Sequence, residues 1–131
     1  MNAEVRAFGH VNLRAQRPLL DQLHAFYTQV VGLAEGARPP FARFGYWLYA
    51  GGQDLIHLIE ASADEERMVG VRTVIDHIAF VCSGRADYEQ RLQQLGIVYR
   101  EATVPLTGQV QLVLQDPAGN TVELNFPGPD A

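Results

Sequence analysis

Apolar and polar residues alternate along several short stretches of the chain, and a stretch with a longer period lies among them. Residues 7 to 14 alternate as a strand with one buried face does. Pro18 then begins a predicted helix whose apolar residues recur every three or four positions, and Gly32 ends it. Residues 46–50 and 54–60 predict two strands around a glycine turn. The first half is therefore predicted to form a strand, a helix and two or three further strands.

The second half repeats this order after a polar segment. Residues 61–70 have no periodic apolar face, which is typical of a linker. A strand, a helix and three further strands are predicted to follow, at about residues 74–81, 85–95, 97–101, 110–114 and 120–126. We therefore expect a single domain, residues 1–131, built from one module at about residues 5–60 and a second at about residues 72–127.

The repeat contains side chains that can bind metals. His77 corresponds to His10 at an offset of 67 residues (10 to 77), and Glu123 corresponds to His57 at an offset of 66 (57 to 123). A single strand histidine is more often a hydrogen-bonded structural residue, and we expect this of His24 on the first helix. Four metal-capable side chains at matched positions of two repeats instead favour a common metal site.

Strand alternation predicts where these side chains point. Their sequence neighbours are apolar and define a core face, made by Val11, Leu13, Ile56, Leu58, Ile78, Phe80, Val122 and Leu124. The opposite face carries the four candidate ligands and further polar residues, of which we predict Asn12, Arg14 and Asn125 to bind substrate. Three aromatic residues, Phe41, Phe44 and Trp47, are predicted to line a pocket for an apolar part of a ligand.

Composition excludes several kinds of chemistry. All ten basic residues are arginines, so Schiff-base catalysis and a phosphate-binding lysine loop are absent. The net charge is −5 and the arginines are scattered, which argues against a surface for nucleic acid. The partner is therefore expected to be a small-molecule substrate.

Cysteine content and hydropathy indicate the cellular compartment in which the protein is expected. The single cysteine, Cys82, cannot form an internal disulfide, which is typical of a reducing environment. No apolar run approaches the ~20 residues that span a bilayer, and the N-terminus has no signal-peptide pattern. We therefore expect a cytoplasmic protein without a membrane partner.

The ligand set leaves the metal open. Imidazole and carboxylate groups suit Zn²⁺, Ni²⁺, Co²⁺, Mn²⁺ and Fe²⁺ alike. If one octahedral ion took all four side chains, two positions would remain for neighbouring substrate oxygens, or for one oxygen and a water. We expect one divalent metal per site, acting as a Lewis acid.

With these residues in place, the chain resembles the vicinal oxygen chelate superfamily, which includes glyoxalase I, extradiol dioxygenases and the bleomycin and fosfomycin resistance proteins. The four ligands match the superfamily's metal positions, and residues 116–124, Asp-Pro-Ala-Gly-Asn-Thr-Val-Glu-Leu, are similar to its D-P-x-G-x-x-x-E-L motif. The Arg-Pro-Pro-Phe segment at 38–41 and Gly45-Tyr46-Trp47-Leu48 resemble a bacterial glyoxalase-like subgroup. The resemblance implies an α+β fold in which two βαβββ modules form a cup-shaped mixed β-sheet with helices on its outer face. It also implies a homodimer, with each metal site built within one chain or across two.

For a lyase or isomerase, the resemblance implies that Glu123 removes a carbon-bound proton from the substrate. Arg14 matches an arginine that binds the γ-glutamyl end of glutathione in glyoxalases. Two positions depart from that pattern. Glyoxalase I usually has a carboxylate or amide where this chain has His57, and the asparagine expected four residues later is Ala61. Half of the glutathione-binding pattern is therefore missing, which argues against lactoylglutathione itself.

Two alternatives stay open beside a glyoxalase-like lyase or isomerase whose substrate chelates the metal through vicinal oxygens. His10, His77 and Glu123 form the two-histidine, one-carboxylate set that extradiol dioxygenases use for Fe²⁺. His57 would then be a fourth ligand or a catalytic acid or base. The resistance branch instead implies an antibiotic-binding protein, which can dispense with metal.

Overall fold

The chain consists of two compact units that share one order of elements. The computed structural model describes residues 2–128, and the units divide between Arg67 and Met68. This division falls inside the predicted linker. Each unit has the order strand, helix and three strands, which confirms the predicted α+β class with two βαβββ modules.

Unit 1 contains a four-stranded mixed sheet. Its elements are β1 (Val11–Ala15), α1 (Arg17–Ala25), a π-helical segment (Phe26–Val30), β2 (Ala34–Gly36), β3 (Gly45–Ala50) and β4 (Gln53–Glu60). The strand order is β1-β4-β3-β2, with β1 parallel to β4 and the other pairs antiparallel. Helix α1 packs on β4 and β1. The first and last strands of the module are therefore neighbours.

Unit 2 repeats this topology. Its elements are β5 (His77–Val81), α2 (Arg85–Gln94), β6 (Arg100–Thr103), β7 (Val110–Gln115) and β8 (Thr121–Phe126). The order is β5-β8-β7-β6, with β5 parallel to β8. Helix α2 meets the sheet where Tyr88 packs edge-on against Phe126, with ring centroids 5.6 Å apart. Here too the first and last strands lie side by side.

The core face is most regular in β8. Val122, Leu124 and Phe126 are fully buried, whereas the residues between them are only half-buried. This alternation is the predicted one. Each fully buried side chain of this size contributes about 1.5–3 kcal/mol of hydrophobic free energy, so the strand is held strongly in one register and Glu123 faces away from the core.

Both helix ends differ from a simple α-helix. Within the π-helical segment that follows α1, the hydroxyl of Thr28 donates to the carbonyl of His24 at 2.7 Å, the acceptor that the Thr28 amide would use in an α-helix. Helix α2 ends in a Schellman motif: Gly96 has φ 67°, and the amide of Ile97 donates to the carbonyl of Leu92 at 2.9 Å. This motif occupies the start of the strand predicted at 97–101, which is why β6 begins only at Arg100.

A β-bulge sets the start of β1. The register of β3 with β4 passes from Leu48 opposite Ile56 to Tyr49 opposite Asp54, so Leu55 is an extra residue in β4. The parallel ladder of β1 begins at Val11 opposite Ile56, immediately after the bulge. The strand predicted from residue 7 therefore begins later.

Among residues 2–128, no helix has the length and apolarity needed to cross a bilayer.

Candidate metal-binding site

In unit 1, two of the predicted ligands stack on each other. His10 lies directly before β1, and His57 lies on the adjacent β4 opposite Asn12. The two imidazole rings have centroids 3.6 Å apart and planes 14° apart. The parallel pairing of the first and last strands therefore brings together two side chains that are distant in the sequence.

Trp47 covers the other face of His57. The two residues are opposite each other on β3 and β4, and their ring centroids are 4.1 Å apart with planes at 10°. His57 is consequently held between two aromatic rings and retains only 8% of its side-chain exposure. The two stacking contacts therefore hold this imidazole in one orientation.

Asp54 joins this cluster although it was not predicted. Its Oδ2 atom lies 2.6 Å from Nε2 of His57. Residues three apart on a regular strand point to opposite faces, but the extra residue Leu55 restores Asp54 to the face of His57. The hydrogen bond with His57 holds the pKa of the Asp54 carboxyl below its ordinary value.

The donor set of unit 1 fits a divalent transition metal. His10, Asp54 and His57 each offer one ligand atom, and these atoms lie within 4.8 Å of one another. Neutral imidazole and carboxylate are suitable ligands for Zn²⁺, Ni²⁺, Co²⁺ or Fe²⁺. A carboxylate hydrogen-bonded to a ligating histidine is also a common way to fix the ring and its tautomer.

Unit 2 brings the other two predicted ligands together. Nε2 of His77 lies 3.1 Å from Oε2 of Glu123, on the parallel neighbours β5 and β8. The second ring nitrogen of His77, Nδ1, is 2.8 Å from Oδ2 of Asp76. Hydrogen bonding to Asp76 raises the pKa of His77 above its ordinary value, and the carboxylate of Glu123 acts in the same direction.

Glu123 is oriented by a residue of β7. The side-chain amide of Gln111 donates to Oε1 of Glu123 at 3.0 Å, which leaves Oε2 facing His77. Asn125, two residues along the same face, has a buried Oδ1 atom without a hydrogen-bond partner in the described part of the chain. The polar face of β8 thus has one fixed carboxylate and one acceptor that a ligand can satisfy.

A pocket of about 130 Å³ lies beside His57 in unit 1. Its walls include Asn12, Phe41 and Trp47, three of the predicted substrate-binding residues. Phe44 lies elsewhere: the guanidinium of Arg17 sits 3.4 Å from its ring centroid. Phe44 therefore makes a cation–π contact and does not line this pocket.

Arg14 lines a second, larger pocket of about 330 Å³ together with Asn12, Ile59 and Arg67. Arg14 and Arg67 both pair with Glu65, at 3.5 Å and 2.6 Å. Hydrogen bonding from Arg67 and the charge of Arg14 lower the pKa of Glu65. The two arginines at this pocket therefore already have an anionic partner.

Sequence reasoning missed three residues beside the ligands: Asp54, Asp76 and Gln111. Asp76 is adjacent to His77 in the sequence, which is a signal that could have been used. Gln111 required the register of β7 with β8, which fixes a neighbour across strands. His24 behaves as the structural residue expected, because its Nε2 atom pairs with Glu35 at 2.6 Å.

Comparison with known proteins gives a limited set of relatives. No protein-family model matches the sequence. Glyoxylase I 4 of Arabidopsis thaliana is 34% identical over 110 residues. The match covers 80% of this chain but 63% of that protein, so the chain spans less than two thirds of its relative's length.

Solved structures share the fold. A glyoxylase/bleomycin resistance protein/dioxygenase domain from Frankia sp. EAN1pec has a TM-score of 0.72 at 20% identity, over 95% of this chain and 99% of that chain. Lactoylglutathione lyase from Agrobacterium tumefaciens has a TM-score of 0.65 at 24% identity, over 95% and 96%. At these identities the likeness concerns the fold.

Proposed function

We propose that the chain is a member of the vicinal oxygen chelate superfamily and a divalent-metal-dependent lyase or isomerase of glyoxalase type, supported by its similarity to Glyoxylase I 4 and by the fold it shares with glyoxalase-like structures. Its substrate is a small molecule that chelates the metal through two neighbouring oxygens. In this proposal His10, His57, His77 and Glu123 hold one ion, within a chain or across two chains. The activity of the relatives is not carried over with the fold, so the proposal depends on the residues themselves.

One observation carries the proposal: each unit pairs its two predicted ligands. His10 stacks on His57, and His77 lies 3.1 Å from Glu123. Both pairs lie where the first and last strands of a module run in parallel. Two structurally equivalent pairs supply three imidazoles and one carboxylate, a set that binds divalent transition metals.

The chain's own residues supply positioning and proton transfer. A bound divalent ion stabilises negative charge on a substrate oxygen. Glu123 removes the proton from the substrate carbon and returns it to the neighbouring carbon, and Gln111 fixes the orientation of this carboxylate. Asp54 fixes the ring of His57. Phe41 and Trp47 provide apolar walls that exclude water from the pocket beside His57.

The contact of His57 with Asp54 favours a second candidate function. If His57 serves as an acid or base through its contact with Asp54, and not as a ligand through its second ring nitrogen, the remaining ligands are His10, His77 and Glu123. Two histidines and one carboxylate are the set that holds Fe²⁺ in extradiol ring-cleaving dioxygenases. His57, supported by a carboxylate, would then act as the acid or base.

Metal content and two activity assays test the proposal. The untagged protein is analysed by elemental mass spectrometry, reloaded with Zn²⁺, Ni²⁺, Co²⁺, Mn²⁺ or Fe²⁺, and assayed with adducts of 2-oxoaldehydes and thiols. We expect about one ion per site and an increase in thioester absorbance as product forms, which Glu123→Gln removes. Oxygen uptake with catechols by the Fe²⁺ form alone would favour the dioxygenase. Failure to bind any of these ions would overturn both enzymatic functions and leave an antibiotic-binding protein.

We also propose a homodimer as the functional assembly. Large apolar side chains are exposed on both units, among them Phe8, Val74 and Val81 at 82%, 103% and 82%, and a second copy would cover such surface. Sedimentation at micromolar concentration should give twice the mass of one chain. A single-chain mass would count against the dimer.

A further inference from the structure

The 130 Å³ pocket of unit 1 is lined by an arginine that has no carboxylate partner among residues 2–128. Arg38 lines this pocket together with Phe41, Trp47 and the candidate ligand His57. Within residues 2–128 no carboxylate lies within ion-pair distance of its guanidinium, and its Nε atom is buried without a hydrogen-bond partner. The side chain as a whole is half-buried, but a buried N–H donor without an acceptor is costly. The pocket is the side from which a counter-ion can approach.

The guanidinium of Arg38 is fixed in this position. Its Nη2 atom donates to the carbonyl of Arg43 at 2.9 Å, and its Cζ atom lies 5.0 Å from the ring centroid of Phe41. It also lies against the backbone of Gly45, where a Cβ atom would come within 2.9 Å of Nη2. A side chain held by a hydrogen bond, an aromatic ring and a glycine backbone is preorganised to bind.

The second pocket of this unit provides a contrast. Arg14 and Arg67 line it, but both pair with Glu65, so an anion entering there must displace a carboxylate. Among residues 2–128, Arg38 has no carboxylate partner that an incoming anion would have to displace. The unpaired charge therefore distinguishes the smaller pocket as the place for a negatively charged group.

The remaining walls define the rest of the ligand. Phe41 and Trp47 lie with ring centroids 6.2 Å apart, and Trp47 stacks on His57. A cavity of about 130 Å³ approaches the roughly 150 Å³ that accommodates benzene in a protein core. Phe41 and Trp47 are in direct contact with each other, so a group of about this size packs against them within the pocket, with His57 beside it.

We propose that this pocket is a carboxylate subsite, in which Arg38 binds the carboxylate of a small organic acid whose flat apolar body packs against the wall made by Phe41 and Trp47. Guanidinium and carboxylate are matched in geometry and make short, charge-assisted hydrogen bonds. The identification of this acid as the substrate rests on the proposed function, since it places the rest of the molecule beside the metal ligand His57. The subsite itself is inferred from the pocket and from Arg38 alone.

The test compares two probes of equal shape, benzoate and neutral benzamide. Trp47 is the single tryptophan of the chain and lines the pocket, so its fluorescence reports binding to each probe. Both are titrated into metal-loaded and chelator-treated protein, because benzoate can also bind a metal directly. We expect benzoate to bind at least ~10-fold more tightly than benzamide in the chelator-treated protein. Equal binding, or no binding of either probe, would overturn the subsite.

Three variants assign the preference to Arg38. Arg38→Gln should abolish the preference for benzoate while benzamide still binds. Arg43→Gln removes a charge from the same loop without removing a pocket wall and should keep it. If Arg38→Gln loses both probes because the loop has rearranged, Arg38→Lys decides: it retains the charge, so some preference for benzoate must remain, and none would refute the assignment.

The outcomes separate this inference from the proposed function. A preference for benzoate in a protein that binds no metal would keep the subsite and remove the metal-dependent activity. Metal binding without any preference for benzoate would keep the metal site and remove the subsite. The two hypotheses therefore fail independently.

Discussion

Trp47 and His57 face each other across neighbouring strands, with ring centroids 4.1 Å apart and planes 10° apart. The stack buries an imidazole that would otherwise lie open on the polar face of the sheet. It also connects the pocket to the candidate metal ligands, because Trp47 lines the pocket and stacks on the candidate ligand His57. Changes at either place should therefore be visible in the same indole ring.

The first prediction uses this contact. Adding Zn²⁺ or Ni²⁺ to chelator-treated protein should change the fluorescence of Trp47, because an ion bound to His57 alters the charge stacked on the indole. His57→Ala should remove most of the response. His24→Ala alters a histidine that pairs with Glu35 and should respond like the wild type. An unchanged signal on saturation with metal, shown independently by dialysis, would contradict the placement of the ion at His57.

The second prediction concerns the two ligand pairs. His77→Ala should abolish metal binding, because it removes the partner of Glu123 in unit 2. His57→Ala should weaken binding and alter the preference among metals, since it leaves the His77–Glu123 pair of unit 2 intact. Equilibrium dialysis with elemental analysis gives both stoichiometries, again with His24→Ala as the control. An undiminished stoichiometry in the His77 variant would remove the proposed four-ligand site.

The third prediction concerns the carboxylate beside His57. Asp54→Asn keeps the size of the side chain but removes the charged acceptor of the 2.6 Å contact. We expect a loss of about 10- to 100-fold in metal affinity, as for other residues that orient ligating histidines. A competition titration against a chelating dye measures it. Asp21→Asn, which alters a carboxylate bonded to Tyr46, is the matched control and should leave the affinity unchanged.

The periodicity of the sequence predicted the core face well and Asp54 not at all. Val122 and Leu124 are buried and Glu123 faces the other side, because simple alternation holds throughout β8. Asp54 was not predicted because one extra residue, Leu55, reverses the alternation in β4. Strand β2 was only an open possibility, since its three exposed residues, Ala34–Gly36, have no buried face to produce a pattern.

The fourth prediction tests the close approach at Gly45. A Cβ atom there would overlap the carbonyl oxygen of Leu58 and come within 2.9 Å of Nη2 of Arg38. Gly45→Ala should therefore lower the free energy of unfolding by about 1–3 kcal/mol, a typical cost of overpacking. Urea denaturation measures the change. Gly9→Ala is the control, because nothing lies within 4 Å of its Cβ position.

The fifth prediction concerns the half-buried thiol of Cys82. Burial raises the pKa of this thiol, so less thiolate is present at a given pH than in the unfolded chain. Alkylation by iodoacetamide at about pH 8 should be at least ~10-fold slower in the folded protein than in urea. Equal rates would show that the thiol is not shielded.

The raised pKa of Cys82 also predicts how the free energy of unfolding changes with pH. Because the folded-state pKa of Cys82 is raised, its contribution to stability is complete below the unfolded value of about 8.5 and is lost as the pH rises through the folded value. Cys82→Ala should therefore reduce the fall in unfolding free energy above this pH. Denaturation midpoints at a series of alkaline pH values measure the difference.

The parallel contacts of β1 with β4 and of β5 with β8 have a consequence for the life of the newly made chain. In each module one candidate ligand lies at the first strand and the other on the last strand. Neither pair can form until the whole module has left the ribosome and its last strand has paired with its first. The entropy of that closure must be overcome before any ion is held by more than isolated side chains. In the proposed site, an ion held by both members of a pair would therefore require a completed module.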